Sequence, residues 1–140
     1  MNPFDLHGKS AIVTGANTGL GQGIAVALAR AGATVVGVGR SPMDETQALI
    51  GAAGGAFHPV RADLSSIAPA SRIVEETVTL TGRADILVNN AGVIRRADAL
   101  DFTEQDWDDV MNVNLKAMFF LSQAFARHVV GALAAARSST

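Results

Sequence analysis

Three glycines placed at 15, 19 and 21 within Thr14-Gly15-Ala16-Asn17-Thr18-Gly19-Leu20-Gly21 could do chemistry on a phosphate. Glycine allows positive φ in a tight turn and lets another backbone come close. If a helix starts there, its first N–H groups and positive dipole end face an anion. The spacing differs from a full G-x-G-x-x-G, and no Gly-Lys-Ser/Thr follows, so a P-loop is disfavoured. The bare alternative is a tight strand-to-helix turn without a ligand. A second polar group, Asn89-Asn90-Ala91-Gly92, lies far along the chain. Arg40 follows Gly39, and Arg95-Arg96 is a second arginine pair; a guanidinium fork suits phosphate or carboxylate. His7, His58 and His128 are scattered, and the chain has no cysteine. Disulfides, cysteine nucleophiles and thiolate sites are thereby excluded, and no metal site is expected.

The elements that must position these residues alternate. Ser10 to Thr14 reads as an apolar strand. Leu20 to Ala31 reads as a helix with Ile24, Ala27, Leu28 and Ala31 on one face, stopped by Gly32. Thr34 to Val38 is a second strand, and Asp44 to Ala53 a helix closed by Gly54-Gly55. Ala56 to Arg61 is a third strand, and Pro59 puts it at an edge. Ser65 or Ser66 can cap a helix to Leu80, with Pro69 in its first turn and Gly82 after it. Asp85 to Val88 is a fourth strand. Thr103 can cap a long helix over about 104–136, straight or kinked, with acids in its first turn. Residues 137–140 read as a frayed tail. This order predicts an α/β fold: a doubly wound parallel sheet with helices on both faces and strand order 3-2-1-4. Strand four is then an apolar edge that something normally covers.

At 140 residues the chain fits a single domain, 1–140, with a real core. Hydrophobic residues at 49% against 17% charged exclude a disordered chain. A net charge of -2, with no basic run, gives no reason to expect nucleic acid or an anionic membrane. Met1 to Gly8 carries no long apolar run, so no secretory leader is expected. The stretch around Phe119 is apolar, but Lys116 and Arg127 bracket a run read as too short for a membrane span. A cytoplasmic location is the default expectation.

Together, the glycine turn at 14–21, Asp63-Leu64 and Asn89-Asn90-Ala91-Gly92 resemble the short-chain dehydrogenase/reductase family over roughly residues 5 to 130. The resemblance implies a Rossmann fold and an NAD(P)-dependent enzyme acting on a secondary alcohol or ketone. It implies that Gly15, Asn17, Thr18, Gly19, Leu20 and Gly21 hold the pyrophosphate. Asp63 and Leu64 would lie by the adenine, and Asn90, Ala91 and Gly92 on the ribose side. The Asn89-Asn90 pair would also brace the sheet. Val93 to Ala99 and Asp106 to Leu115, with Thr18 to Gly23, are similar to 2-deoxy-D-gluconate 3-dehydrogenases and related sugar-acid oxidoreductases. A sugar acid is the implied substrate, with Arg95 and Arg96 able to meet its carboxylate or to form a charge pair elsewhere.

The resemblance makes Asn114 the catalytic asparagine that holds a relay water to a lysine; Asn112 is the rival, and a helix-kink role is compatible. Trp107, Val110, Met111, Met118, Phe119 and Phe125 read as packing, and the long helix as a homo-oligomer face. The cofactor is NAD or NADP. Gly39-Arg40, where an NAD enzyme usually has an acid, points to a 2′-phosphate or to Arg40 stacking on adenine; the subgroup points to NAD. Departures are plain. The chain has no tyrosine, so the family's Tyr-x-x-x-Lys pair is missing, and Lys9 and Lys116 fit no such pattern. After His128 the likeness fades into small residues, and Ser138 and Ser139 come too early to be catalytic. The expectation is a truncated cofactor-binding half without turnover of its own. The alternatives are a non-catalytic dinucleotide-binding module, or a fragment that docks on a relative through its long helix or edge strand.

Overall fold

The computed structural model describes residues 5–17, 19–64, 68–90, 101, 103–111, 116 and 118–138. Four strands, β1 (Ser10–Thr14), β2 (Thr34–Gly39), β3 (Phe57–Arg61) and β4 (Ile86–Val88), alternate with α1 (Gly19–Arg30), α2 (Asp44–Ala52) and α3 (Ala70–Thr81). Two more helices follow, α4 (Glu104–Met111) and α5 (Met118–Ser138). The sheet is parallel throughout, in the order β3-β2-β1-β4, as the sequence predicts. Ile12 faces Val36 on one side and Leu87 on the other, so β1 is central. Pro59 sits on the edge strand β3, where a missing N–H costs least.

The strands are apolar without alternation because both sheet faces are covered. Ile12, Val36, Val38 and Val60 point into one cluster with Ile73 and Val74 of α3 and Leu121 of α5. Val13, Val35 and Phe57 point into the other, with Ala25 and Ala29 of α1 and Ile50 of α2. Ile12, Ile50 and Ile73 are fully buried, each stabilising the fold by about 1.5–3 kcal/mol relative to exposure.

Element boundaries mostly fall within a residue of expectation, and Gly32, Gly54 and Gly82 end their helices with positive φ. The differences are informative. The buried face of α1 is Gly21, Ala25 and Ala29, not the expected set; Ala27 is exposed and Ile24 and Leu28 are half-buried. The smallest residues win that face because the helix lies close on the sheet. Helix α3 starts at Ala70, after Pro69, with its first bond from Ile73 N–H to the Pro69 carbonyl. Proline disfavours helical backbone in the residue before it, which sets this start; Ser65 and Ser66 lie outside the described residues.

Of the expected long helix over 104–136 the described parts are α4 and α5, and the junction at 112–115 and 117 lies outside the described residues. Thr103 does cap α4: its Oγ1 accepts the Asp106 N–H at 3.0 Å, while Asp106 Oδ2 accepts the Thr103 N–H at 3.0 Å. The expected frayed tail is helical through Ser138, because alanines favour helix and Arg137 suits the negative end. By length and composition Met118–Arg137 is also long and apolar enough to cross a membrane, contrary to the reading of a run cut short at Arg127. Arg127, however, stands near the middle of that stretch, where a charge is costly in lipid, and Leu121 packs into the core.

Trp107 and Phe119 are largely exposed, at 56% and 61%, with Phe119 meeting Phe120 edge-on at 5.2 Å. Phe125 is half-buried against the core, and nothing is described for the side chains of Val110 and Met111.

Candidate functional site

All four strands are parallel, so their carboxyl ends, Thr14, Gly39, Arg61 and Val88, share one edge of the sheet. Connections from β1 lead outward to β2 and β3, whereas β4 lies on the other side of β1. The edge beyond β1 and β4 is therefore the switch point, where a crevice opens in sheets of this type. Both polar motifs of the sequence arrive there.

The chain leaves β1 with Gly15 N–H donating to the Val38 carbonyl at 2.8 Å. Gly15 and Gly19 then adopt φ of 67° and 61°, which a side chain would resist. Helix α1 begins at Gly19, so its unpaired N–H groups face the crevice with the positive dipole end behind them. At Gly21 a Cβ would stand 2.0 Å from the Gly15 carbonyl oxygen and 2.5 Å from Asn90 Nδ2. Only glycine permits that approach.

Asn90 ties the second motif to the first. Its N–H donates to Thr14 Oγ1 at 2.8 Å, and its Nδ2 reaches the Gly15 carbonyl at 3.5 Å. Thr14 Oγ1 also donates to the Val88 carbonyl at 3.4 Å. Asn89 Nδ2 donates to Ser122 Oγ at 3.1 Å, fixing the end of β4 to α5. The expected bracing role of the asparagine pair is thus visible.

A further link was not legible in the sequence. Buried Thr46 of α2 donates from Oγ1 to the Ala16 carbonyl at 2.7 Å and accepts Gln22 Nε2 at 3.0 Å. Gln22 Nε2 also reaches the Asn17 carbonyl at 3.3 Å. Two helices therefore hold the glycine turn from behind. Gln22 lies within Thr18 to Gly23 and Thr14 opens the glycine turn, whereas Thr46 carries no pattern that would single it out.

The remaining sequence candidates fall in different places. Asn17 Oδ1 lies 3.6 Å from where a Gly39 Cβ would be, and so covers the end of β2. Arg40 and Asp63 are exposed on the same edge, and Leu20 is 72% exposed at the start of α1. Leu64 turns its side chain into the core, 8% exposed, among Ile73 and Val74. Thr18, Ala91, Gly92, Arg95, Arg96, Asn112 and Asn114 lie outside the described residues. Among the described residues no three metal-ligating side chains gather.

A carboxylate held below its ordinary range lies at the opposite edge, where β1 and β4 begin. Burial pushes Asp85 up, but the Arg83 guanidinium at 2.6 Å, the Ser10 N–H at 2.8 Å and Lys9 hold it below the usual range.

A glycine-built helix start is thus locked to an Asn-Asn segment at the switch point of a parallel α/β sheet. The sequence profile of the short chain dehydrogenases matches residues 9–137. The chain belongs to the short chain dehydrogenase family. A 2-dehydro-3-deoxy-D-gluconate 5-dehydrogenase from Dickeya dadantii (strain 3937) is 50% identical over 130 residues, covering 93% of this chain and 51% of that protein. The enzyme of the same name from Escherichia coli (strain K12) is 49% identical over 130 residues, with the same coverage. This short chain dehydrogenase chain thus spans about half the length of the curated relatives it matches. A crystal structure from Agrobacterium tumefaciens, assigned as a 2-deoxy-D-gluconate 3-dehydrogenase and holding NADP, superposes with a TM-score of 0.83 at 50% identity. It covers 94% of this chain and 51% of the other.

Proposed function

We propose that this chain is the dinucleotide-binding half of an NAD(P)-dependent sugar-acid dehydrogenase. The observation that carries the reading is the contact between Gly21, Gly15 and Asn90, which no residue with a Cβ at position 21 would allow. Gly15, Asn17, Thr18, Gly19, Leu20 and Gly21 would hold the pyrophosphate at the α1 N-terminus. Arg40 would meet the adenosine ribose, and Asp63 and Leu64 the adenine, Leu64 through its main chain. Asn90, Ala91 and Gly92 would line the ribose side, and Asn114 would hold a relay water.

The dinucleotide, when bound, supplies or accepts the hydride. What these residues do is orient it and neutralise its phosphates. The sugar-acid class rests on the named relatives from Dickeya dadantii and Escherichia coli, and NADP on the Agrobacterium tumefaciens structure. The 140 residues hold no tyrosine. On its own the chain therefore lacks the phenol that would protonate a carbonyl oxygen, and we expect no turnover of a gluconate-type substrate above a blank. We also place a homo-oligomer face on α5, where exposed Phe119, Val130 and Leu133 recur on one side of the helix.

Titrating the chain with NADPH and with NADH, read by nicotinamide fluorescence, tests the reading. Saturable binding of either, abolished by Gly21→Ala, supports it. No binding of either by the folded chain would refute it.

A further inference from the structure

We infer that Arg61 is a specificity-determining residue: a second guanidinium, beside Arg40, for the 2′-phosphate of NADP(H). The inference rests on the dinucleotide reading above and deepens it.

Arg61 is the last residue of edge strand β3, in register with Gly39 at the end of β2. Its side chain folds back onto the neighbouring strand: Nε donates to the Arg40 carbonyl at 2.9 Å. The backbone follows the same path, with Ala62 N–H donating to the Gly39 carbonyl at 3.0 Å. Arg61's own carbonyl is held by Arg72 at 3.3 Å, so its main chain is fixed from the far side. One of its donors is thus spent on positioning. The terminal amino groups stay with a guanidinium held against the peptide of Arg40.

Pairing distinguishes these two arginines from Arg72 beside them, which has Glu76 at 2.7 Å. Among the described residues neither Arg40 nor Arg61 makes an ion pair. The Arg61 guanidinium is therefore held against the Arg40 peptide at an exposed edge, with no counter-ion to either arginine from those residues, and an anion there would be attracted to both charges.

Gly39 stands where an acid would bond the ribose hydroxyls and repel a phosphate. Asn17 covers that glycine from the phosphate cradle, so the edge adjoins the proposed pyrophosphate site. A phosphomonoester carries more than one charge and several acceptor oxygens, enough for two guanidinium forks. A ribose hydroxyl offers neither. The pair therefore discriminates by charge, and Arg61 shares that task with Arg40.

The test is calorimetric titration of the full chain with NADPH, NADH, 2′,5′-ADP and 5′-ADP. Wild type is expected to prefer NADPH over NADH and 2′,5′-ADP over 5′-ADP. Arg61→Gln is expected to weaken NADPH and 2′,5′-ADP about tenfold, with NADH and 5′-ADP changed less than about twofold. Arg61→Lys, which keeps the charge but loses the fork and its anchor, should fall between. An unchanged NADPH-to-NADH ratio in Arg61→Gln overturns the inference, as do equal losses for both, which a merely structural role would produce. Wild-type preference for NADH also overturns it while leaving the dinucleotide reading intact. If the folded wild type binds none of the four, both fall together.

Discussion

A Cβ on residue 21 would stand 2.0 Å from the Gly15 carbonyl oxygen and 2.7 Å from its carbon. A carbon and a carbonyl oxygen rest at about 3.3 Å or more, so turn and helix would have to part by more than about 1 Å. The obstacle is backbone, fixed by the Gly15 bond to Val38 and by Thr46 behind Ala16, and rotamer changes cannot relieve it. Overpacking of this kind costs about 1–3 kcal/mol. Against it stands the helix-propensity gain of alanine over glycine, about 0.8–1 kcal/mol. Gly23, on the same helix, supplies the control: it is exposed, and a Cβ there meets nothing within 4 Å. Gly23→Ala should therefore stabilise the chain by up to about 1 kcal/mol, and Gly21→Ala should destabilise it, by up to about 2 kcal/mol. Urea unfolding followed by circular dichroism reads both, through the midpoint at constant slope. Equal midpoints for the two variants would refute the close-approach reasoning, whatever the dinucleotide affinities proved to be.

Thr46→Val keeps shape but leaves the buried Ala16 carbonyl without its donor. It should cost about 1–3 kcal/mol, whereas Thr46→Ser should keep most of the stability; indistinguishable melting curves for wild type and Thr46→Val would count against the link. Asp85 is depressed in the folded state, so its contribution is complete above its unfolded value, about 3.9, and is lost as pH falls through the lowered folded value. Asp85→Asn should thus lower the midpoint at pH 7 and converge with wild type near pH 2, and a constant gap across that range would contradict the assignment. Replacing Phe119 and Leu133 with serine should reduce any self-association seen by light scattering while leaving the helical signal unchanged. Association that survives both changes would move the interface off this face.

The sheet was legible because covering both faces demands runs such as Ala-Ile-Val and Thr-Val-Val, which no solvated strand carries. Helix ends were legible through Gly32, Gly54 and Gly82, where positive φ needs glycine. The buried stripe of α1 was not, because hydrophobicity ranks Ile24 and Leu28 above the small residues that close approach requires. Within the site, Gly15, Gly19 and Gly21 announce themselves by spacing. Thr46 and Arg61 do not: each acts on a main-chain carbonyl from a sequence-distant element, and such a contact leaves no residue pattern. Trp107 and Phe119 read as packing, and the exposure of both within the chain was not legible, since composition cannot tell an apolar residue covered by its own chain from one left for a second subunit.

Asn90 meets Thr14 and Gly15 across 76 and 75 positions of sequence. Three crossovers separate β4 from β1 in the chain, and the bonds close only once β4 has found β1, so the crevice is assembled from one of the least local contacts in the fold. Loop closure on that scale must precede any reward from the contact. The phosphate cradle should therefore be absent from the folding transition state and complete only in the native chain. A dinucleotide would then act as a clamp on the finished molecule. In stopped-flow experiments it should slow unfolding and leave the refolding rate unchanged, and faster refolding with ligand present would place the crevice in the nucleus instead.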